Sequence, residues 1–373
     1  MDLFKEFNLA DRKGTTCAQH LPLDWEEQVL HQCYRISYLV STFNIPSMLV
    51  INLDQFGQHI LSIKNRTRVV KGSRTVSGIG AEDKRQITGV GAVAADGSFL
   101  GLQAIWQGTT ARCHPKNVPS HAKLIHSHSA NHWSNLETMK DFVNRLILPY
   151  CRARIAEHHL PQDQVSVLIV DAWQVHLSAD FKDFIRRCVP KIELNYIPAG
   201  TTPKAQVMDI SVNYTIKSIV SHVTCDYIAG KVATLLKESP EAVPIVEVGL
   251  GSLKPVIVKG FLQSVSHFEG LDGAATIKKG WGKAGVLRCF EKSFQATAAT
   301  WMANQLRESN LNTVLMPHID PLIEIPPSTL IYVGYEDRHE DDDLAMITLE
   351  EIEELDELLE AYDAEQALLS DTH

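Results

Sequence analysis

The chain has 373 residues, 45% hydrophobic and 21% charged, with a formal net charge of −10. That composition is ordinary for a soluble globular protein and leaves room for one large domain or two smaller ones. No run approaches the roughly 18–20 apolar residues of a membrane span, and the opening stretch MDLFKEFNLADRKG has no apolar signal core.

The charge is unevenly spread. Residues 336–373 hold sixteen Asp/Glu and one Arg, which leaves 29 acids and 34 bases in the other 335 residues, a net of +5. A mildly basic body allows a polyanionic partner. Seven scattered cysteines (Cys17, Cys33, Cys113, Cys151, Cys188, Cys225, Cys289) include no CxxC pair, and they read as reduced thiols of an intracellular protein.

In chain order, residues 1–23 are polar and irregular. Asp24-Trp25-Glu26-Glu27 has the form of a capping box with a carboxylate as the cap. Trp25, Val29, Cys33, Ile36, Val40 and Phe43 then recur at steps of three and four, an amphipathic helix that ends before Asn44-Ile45-Pro46. Met48–Leu53 reads as a buried strand ending in Asp54. Residues 60–77 alternate basic and apolar groups, and residues 87–106 form a hairpin around Asp96-Gly97. Residues 107–134 read as a His-rich loop, followed by a helix from Asn135 to Tyr150. Val165–Val170 is a short apolar strand that stops at a second carboxylate, Asp171. A helix over about Ser178–Arg187, a strand at Ile192–Ile197 and the loop Pro198–Gln206 lead to a third carboxylate, Asp209, which opens a helix to about Val223. Beyond it, Val256–His267 and Phe290–Gln305 are the clearest helical segments, and Thr348-Leu349-Glu350-Glu351 caps an acidic helix. A strand meander followed by alternating strands and helices predicts a mixed sheet with helices on its faces.

A charge at the end of a buried strand is costly unless something pairs with it. Ligand sites in open α/β sheets lie at such ends. Three carboxylates brought together repel, and a hard divalent cation relieves that repulsion. Two ions can clamp the attacking and leaving oxygens of a phosphodiester. The set Asp54, Asp171 and Asp209 therefore suggests a Mg²⁺ or Mn²⁺ site.

These residues also carry a family resemblance. Asn52-Leu53-Asp54-Gln55-Phe56-Gly57 resembles the first motif of pogo/Tigger-like, mariner-related transposases of the DDE endonuclease superfamily. Leu168-Ile169-Val170-Asp171 with His176 resembles the second motif. Pro198-Ala199-Gly200-Thr201-Thr202-Pro203 and Gln206-Val207-Met208-Asp209-Ile210-Ser211-Val212-Asn213 resemble the third. The resemblance covers about Leu21 to Ser218. It implies an RNase H-like mixed sheet flanked by helices, with a helical C-terminal extension and the acidic tail beyond. It also implies two divalent ions held by Asp54, Asp171 and Asp209, with Gln55, His176 and Gln206 supporting them. The activity implied is hydrolysis of a DNA strand, then strand transfer by the freed 3′-hydroxyl, in the nucleus. Expected divisions are an N-terminal segment (1–46), the catalytic domain (47–228), the helical extension (229–335) and the acidic tail (336–373).

The chain departs from the family at Phe56, Ala172 and Val207-Met208. Only about 45 residues precede the first strand, too few for the family's paired helix-turn-helix modules. Those departures support an alternative, a domesticated or truncated protein that binds nucleic acid or chromatin without catalysis. Lys64, Arg66, Arg68, Lys71, Arg74 and Lys204 are candidate phosphate contacts; the alternative for the first five is a charge-protected edge strand. The spacing of Cys113, His114, His121, His126, His128 and His132 fits no standard structural zinc site, so a polar loop is the simpler reading. Trp133 and Trp173 are expected to pack rather than stack on bases. Partners considered are DNA, a second copy in a homodimer and, for the acidic tail, the basic body or another protein; a membrane is not among them.

Overall fold

The computed structural model describes residues 21–61, 85–239, 246 and 248–308. The basic positions Lys64, Arg66, Arg68, Lys71 and Arg74 and the acidic tail lie outside the described residues. No helix of the described residues is long and apolar enough to cross a membrane.

The first helix, α1 (Trp25–Thr42), follows the predicted periodicity and buries Val29, Cys33, Ile36 and Val40. Its cap differs from the expected box. The Asp24 carboxylate makes no capping bond to the backbone and instead accepts from the Gln28 side chain at 2.9 Å. A six-stranded sheet follows: β1 (Val50–His59), β2 (Gln86–Ala94), β3 (Phe99–Gln107), β4 (Leu124–Ser129), β5 (Ser166–Val170) and β6 (Ile192–Tyr196). Its order is β4-β3-β2-β1-β5-β6. β1, β2 and β3 form the antiparallel meander, β5 and β6 add in parallel to β1, and β4 adds in parallel to β3. This is the expected RNase H-like mixed sheet with one further edge strand.

Two strands correct the sequence reading. β1 is longer than Met48–Leu53: Met48 and Leu49 belong to a 3-10 turn, and the strand runs on to His59. Asp54 therefore sits within the strand, where antiparallel pairing to β2 continues past it (Asp54 faces Gly91). β4 lies inside the stretch read as a loop. Its alternation, Leu-Ile-His-Ser-His-Ser, puts Ser127 and Ser129 at buried positions where a strand usually shows apolar groups, and imidazoles at the half-exposed ones.

Helices α2 (Leu136–Phe142) and α3 (Leu148–Glu157), joined by a π turn at Val143–Ile147, cover one face of the sheet. Asn135 and Thr138 form a reciprocal capping box at the start of α2. The buried Gln103 of β3 donates to Ser127 of β4 and to the Thr138 carbonyl of α2, tying this layer to the sheet. After β5 come α4 (Gln174–Leu177) and α5 (Ala179–Arg186), the latter capped by Ser178. After β6 come a short α6 (Thr202–Ala205), a π turn (Met208–Val212) and α7 (Asn213–Glu238). The C-terminal part is helical as expected, in α8 (Leu250–Glu269), α9 (Leu271–Lys283) and α10 (Lys292–Glu308).

Glycines in β2 clear space on the face that carries Asp54. Phe56 lies opposite Gly89, and a Cβ there would come within 2.4 Å of the Phe56 ring. A Cβ at Gly91 would come within 2.7 Å of Met208 Cε. Phe56 is itself buried and has nowhere to retreat. Gly89→Ala is expected to cost about 1–3 kcal/mol by overpacking, seen as a lower urea midpoint. Phe56→Leu in the same chain should recover part of that loss. An unchanged midpoint in Gly89→Ala would contradict this account of the packing.

Candidate active site

The site grows from Asn52, two residues before Asp54 and fully buried. Its amide nitrogen donates to the Ile169 carbonyl on β5 at 3.2 Å and to Gln206 Oε1 at 2.5 Å. Its amide oxygen accepts from the Met208 backbone N–H at 3.0 Å. One side chain thus ties β1, β5 and the turn that carries Asp209. Gln206, also fully buried, returns a bond from Nε2 to the Leu53 carbonyl at 3.3 Å. Asn52 is a structural tie that the sequence reading quoted without giving it a task.

The three carboxylates converge around this knot. The last register pair between β1 and β5 is Asn52 with Ile169. Two residues beyond it each strand's path carries a carboxylate, Asp54 within β1 and Asp171 just past the end of β5, near enough for the charge of one to act on the other. Asp209 lies in the first turn of the π segment that runs directly into α7, at the start of that helical stretch as expected. Asn213, four residues on, donates one amide hydrogen to Asp209 Oδ1 at 2.7 Å and the other to Asp54 Oδ2 at 2.8 Å. That bridge is the second role the sequence reading missed, although a spacing of four on a helical segment puts two side chains on one face. Helix α9 presses on the same turn: a Cβ at Gly280 would meet Ser211 Oγ at 2.1 Å.

Burial holds the Asp54 carboxyl well above the usual carboxylate range, and the charges of Asp209 and then Asp171 push it further the same way. The Gln55 backbone N–H offsets only part of that cost. An oxygen-only donor set with three carboxylates and an energetic penalty on their joint ionisation is chemically suited to a hard divalent cation.

His176 supports Asp171. Its Nδ1 lies 2.8 Å from Asp171 Oδ1 and 3.2 Å from the Asp171 carbonyl. The Tyr196 hydroxyl donates to the His176 carbonyl at 2.9 Å, and Trp173 meets the imidazole edge-on at 5.2 Å. The imidazole is buried, and Nε2 has no hydrogen-bond partner among the described residues. With Nδ1–H donating to the carboxylate, His176 orients Asp171. The half-buried Gln55 lies on the opposite side of β1 from Asp54, and its backbone N–H donates to the Asp54 carboxylate.

No protein-family model and no curated protein sequence matches the chain. Solved structures similar to it include the Mos1 transposase paired-end complex with left transposon end, at 8% identity and a TM-score of 0.39, covering 74% of this chain and 69% of that one. The Mos1 strand transfer complex is similar at 11% identity and a TM-score of 0.40, covering 79% and 68%. The Mos1 transposase catalytic domain with Raltegravir and Mg is similar at 9% identity and a TM-score of 0.37, covering 72% and 97%.

Lys204 is exposed and lies over the Trp25 ring at 5.8 Å. Trp173 packs against the core as expected. Trp133 is 48% exposed and stacks on the adjacent His132 at 5.2 Å, packing within the turn and not in the core. Cys113, His114 and His128 come together at the far side of the sheet, remote in the strand order from Asp54.

Proposed function

We propose that the chain is the RNase H-like catalytic core of a pogo/Tigger-like DDE transposase, acting on DNA in the nucleus. The observation that carries this reading is the Asn213 bridge between Asp54 and Asp209, with Asp171 at the adjoining strand end. The three ordered motifs support the same assignment. In it, Asp54, Asp171 and Asp209 hold two Mg²⁺ or Mn²⁺ ions. When bound, such ions activate water and stabilise the attacking and leaving oxygens of a phosphodiester.

The chain's own residues do the rest. Asn52 and Gln206 fix the Asp209 turn against β1. His176 aims the Asp171 carboxylate. Asn213 keeps Asp54 and Asp209 paired before cations arrive. The basic body and Lys204 supply sequence-independent attraction for the DNA backbone.

The test is Mn²⁺-dependent nicking of supercoiled plasmid DNA by wild type beside Asp171→Ala. Wild type should nick, and the variant should fall to the level of a protein-free control. Equal nicking by both would overturn the assigned chemistry. A second reading, a catalytically silent nucleic-acid-binding protein, is favoured by Phe56, whose buried ring stands where the family carries threonine. Retained DNA binding without nicking by either protein would select it.

A further inference from the structure

The connection from β3 to β4 brings a second, chemically different cluster together. Cys113 ends a 3-10 turn (Ala111–Cys113), His114 follows it, and His128 lies on the edge strand β4. One potential ligand atom from each, a sulfur and two ring nitrogens, lies within 4.8 Å of the other two. His114 Nε2 and His128 Nδ1 are 3.1 Å apart. Two nitrogens on a tetrahedral zinc ion, each about 2.0–2.1 Å from the metal, stand about 3.3 Å from each other. The pair therefore needs to part by only a few tenths of an ångström, and one shared proton must leave.

The surroundings favour ligand-ready groups. Burial lowers the His114 pKa, and the neighbouring His128, Lys254 and Arg145 lower it further. The Ser127 backbone acts on the same ring in the opposite direction. Lys254 donates to the Cys113 carbonyl from α8, pinning the turn. Its charge opposes a cation, and a Cys113 thiolate offsets it. Gly108 completes the packing. Its φ is +152°, and a Cβ there would meet Cys113 Cβ at 2.6 Å and Sγ at 2.8 Å.

We propose that Cys113, His114 and His128 form a zinc site with one position open to solvent, which staples the β3–β4 connection to the edge of the sheet. Nitrogen and thiolate donors suit zinc, whereas the all-oxygen set at Asp54 suits Mg²⁺ or Mn²⁺. The three residues are half-buried, so an ion can enter without unfolding the chain.

The test uses the reduced, chelator-stripped full chain and Co²⁺ as a spectroscopic substitute. One equivalent should produce the strong visible bands of a tetrahedral site and a near-ultraviolet thiolate-to-cobalt band, both removed by one equivalent of Zn²⁺. Cys113→Ser should lose the thiolate band, and His128→Gln should bind Zn²⁺ at least about 10-fold more weakly. Asp171→Asn should retain both bands, which separates this site from the carboxylates. In unmutated protein, Zn²⁺ should also slow alkylation of Cys113, followed by peptide mass. A wild-type spectrum without the thiolate band, its survival in Cys113→Ser, or Zn²⁺-independent alkylation of Cys113 would overturn the proposal.

Discussion

Asp54→Asn is expected to raise the melting temperature of the ion-free protein and to abolish the further rise on adding Mg²⁺ or Mn²⁺. Both effects have one cause. The Asp54 carboxyl is buried beside two other carboxylates, and its folded-state pKa is raised. Between its ordinary range and that raised value the folded state binds more protons than the unfolded one, so the ion-free wild type loses stability as pH climbs. Above its ordinary range the buried carboxyl carries a cost, as a charge or as a retained proton, that the neutral amide does not. In the wild type a bound cation removes it instead, and saturation at 100-fold above the dissociation constant would add about 2.7 kcal/mol. Thermal scans from pH 4 to 8, with and without Mn²⁺, check the prediction. The gap between variant and ion-free wild type should widen with pH. An Asp54→Asn protein that is less stable than wild type at every pH, or still stabilised by Mn²⁺ like wild type, would defeat it.

The second large effect belongs to a residue that touches no proposed ion. Asn52→Leu is expected to cost about 3–5 kcal/mol, because it leaves the Met208 N–H, the Gln206 amide oxygen and the Ile169 carbonyl without the partner that satisfied them. The new side chain is similar in size, so the loss reflects hydrogen bonding rather than a cavity. The guanidinium midpoint should fall with little change in slope. Lys204→Ala, at an exposed position, should stay within about 0.5 kcal/mol of wild type. A shift in Asn52→Leu as small as that control would show that the knot is not what holds the Asp209 turn.

Much of this arrangement was legible in the residues alone, for identifiable reasons. The α1 stripe announces itself because Val29, Cys33, Ile36 and Val40 all bury on one side. The Asp96-Gly97 turn is equally plain, with the Asp96 carboxylate accepting from the Ser98 N–H and Gly97 at a φ of +97°. What stayed hidden shares a cause too: local pattern and tertiary role diverge. β4 escaped notice because Ser127 and Ser129 occupy the buried strand positions that period-two reasoning reserves for apolar groups. Helix α9 was not singled out because Gly273, Gly280 and Gly282 lower its helical propensity, whereas Gly273 and Gly280 sit where neighbouring chain segments leave no space for a Cβ. Asp54 looked like a strand end since Gln55, Gly57 and Gln58 are poor strand formers; the pairing with β2 overrides them. Asn52 and Asn213 act across more than a hundred residues of chain, a distance no spacing rule spans.

That distance has a consequence for the order of assembly. Asn52 and Gln206 are 154 residues apart in the chain, and Asn213 and Asp54 are 159 apart. Contacts of such range close late, after the local hairpin and helices have shortened the loop between them. The carboxylates become neighbours only when the last of these closures is made. A chain still emerging from the ribosome, or stalled with α7 undocked, carries the three acids as strangers, and the chemistry assigned to them is withheld until the fold is finished.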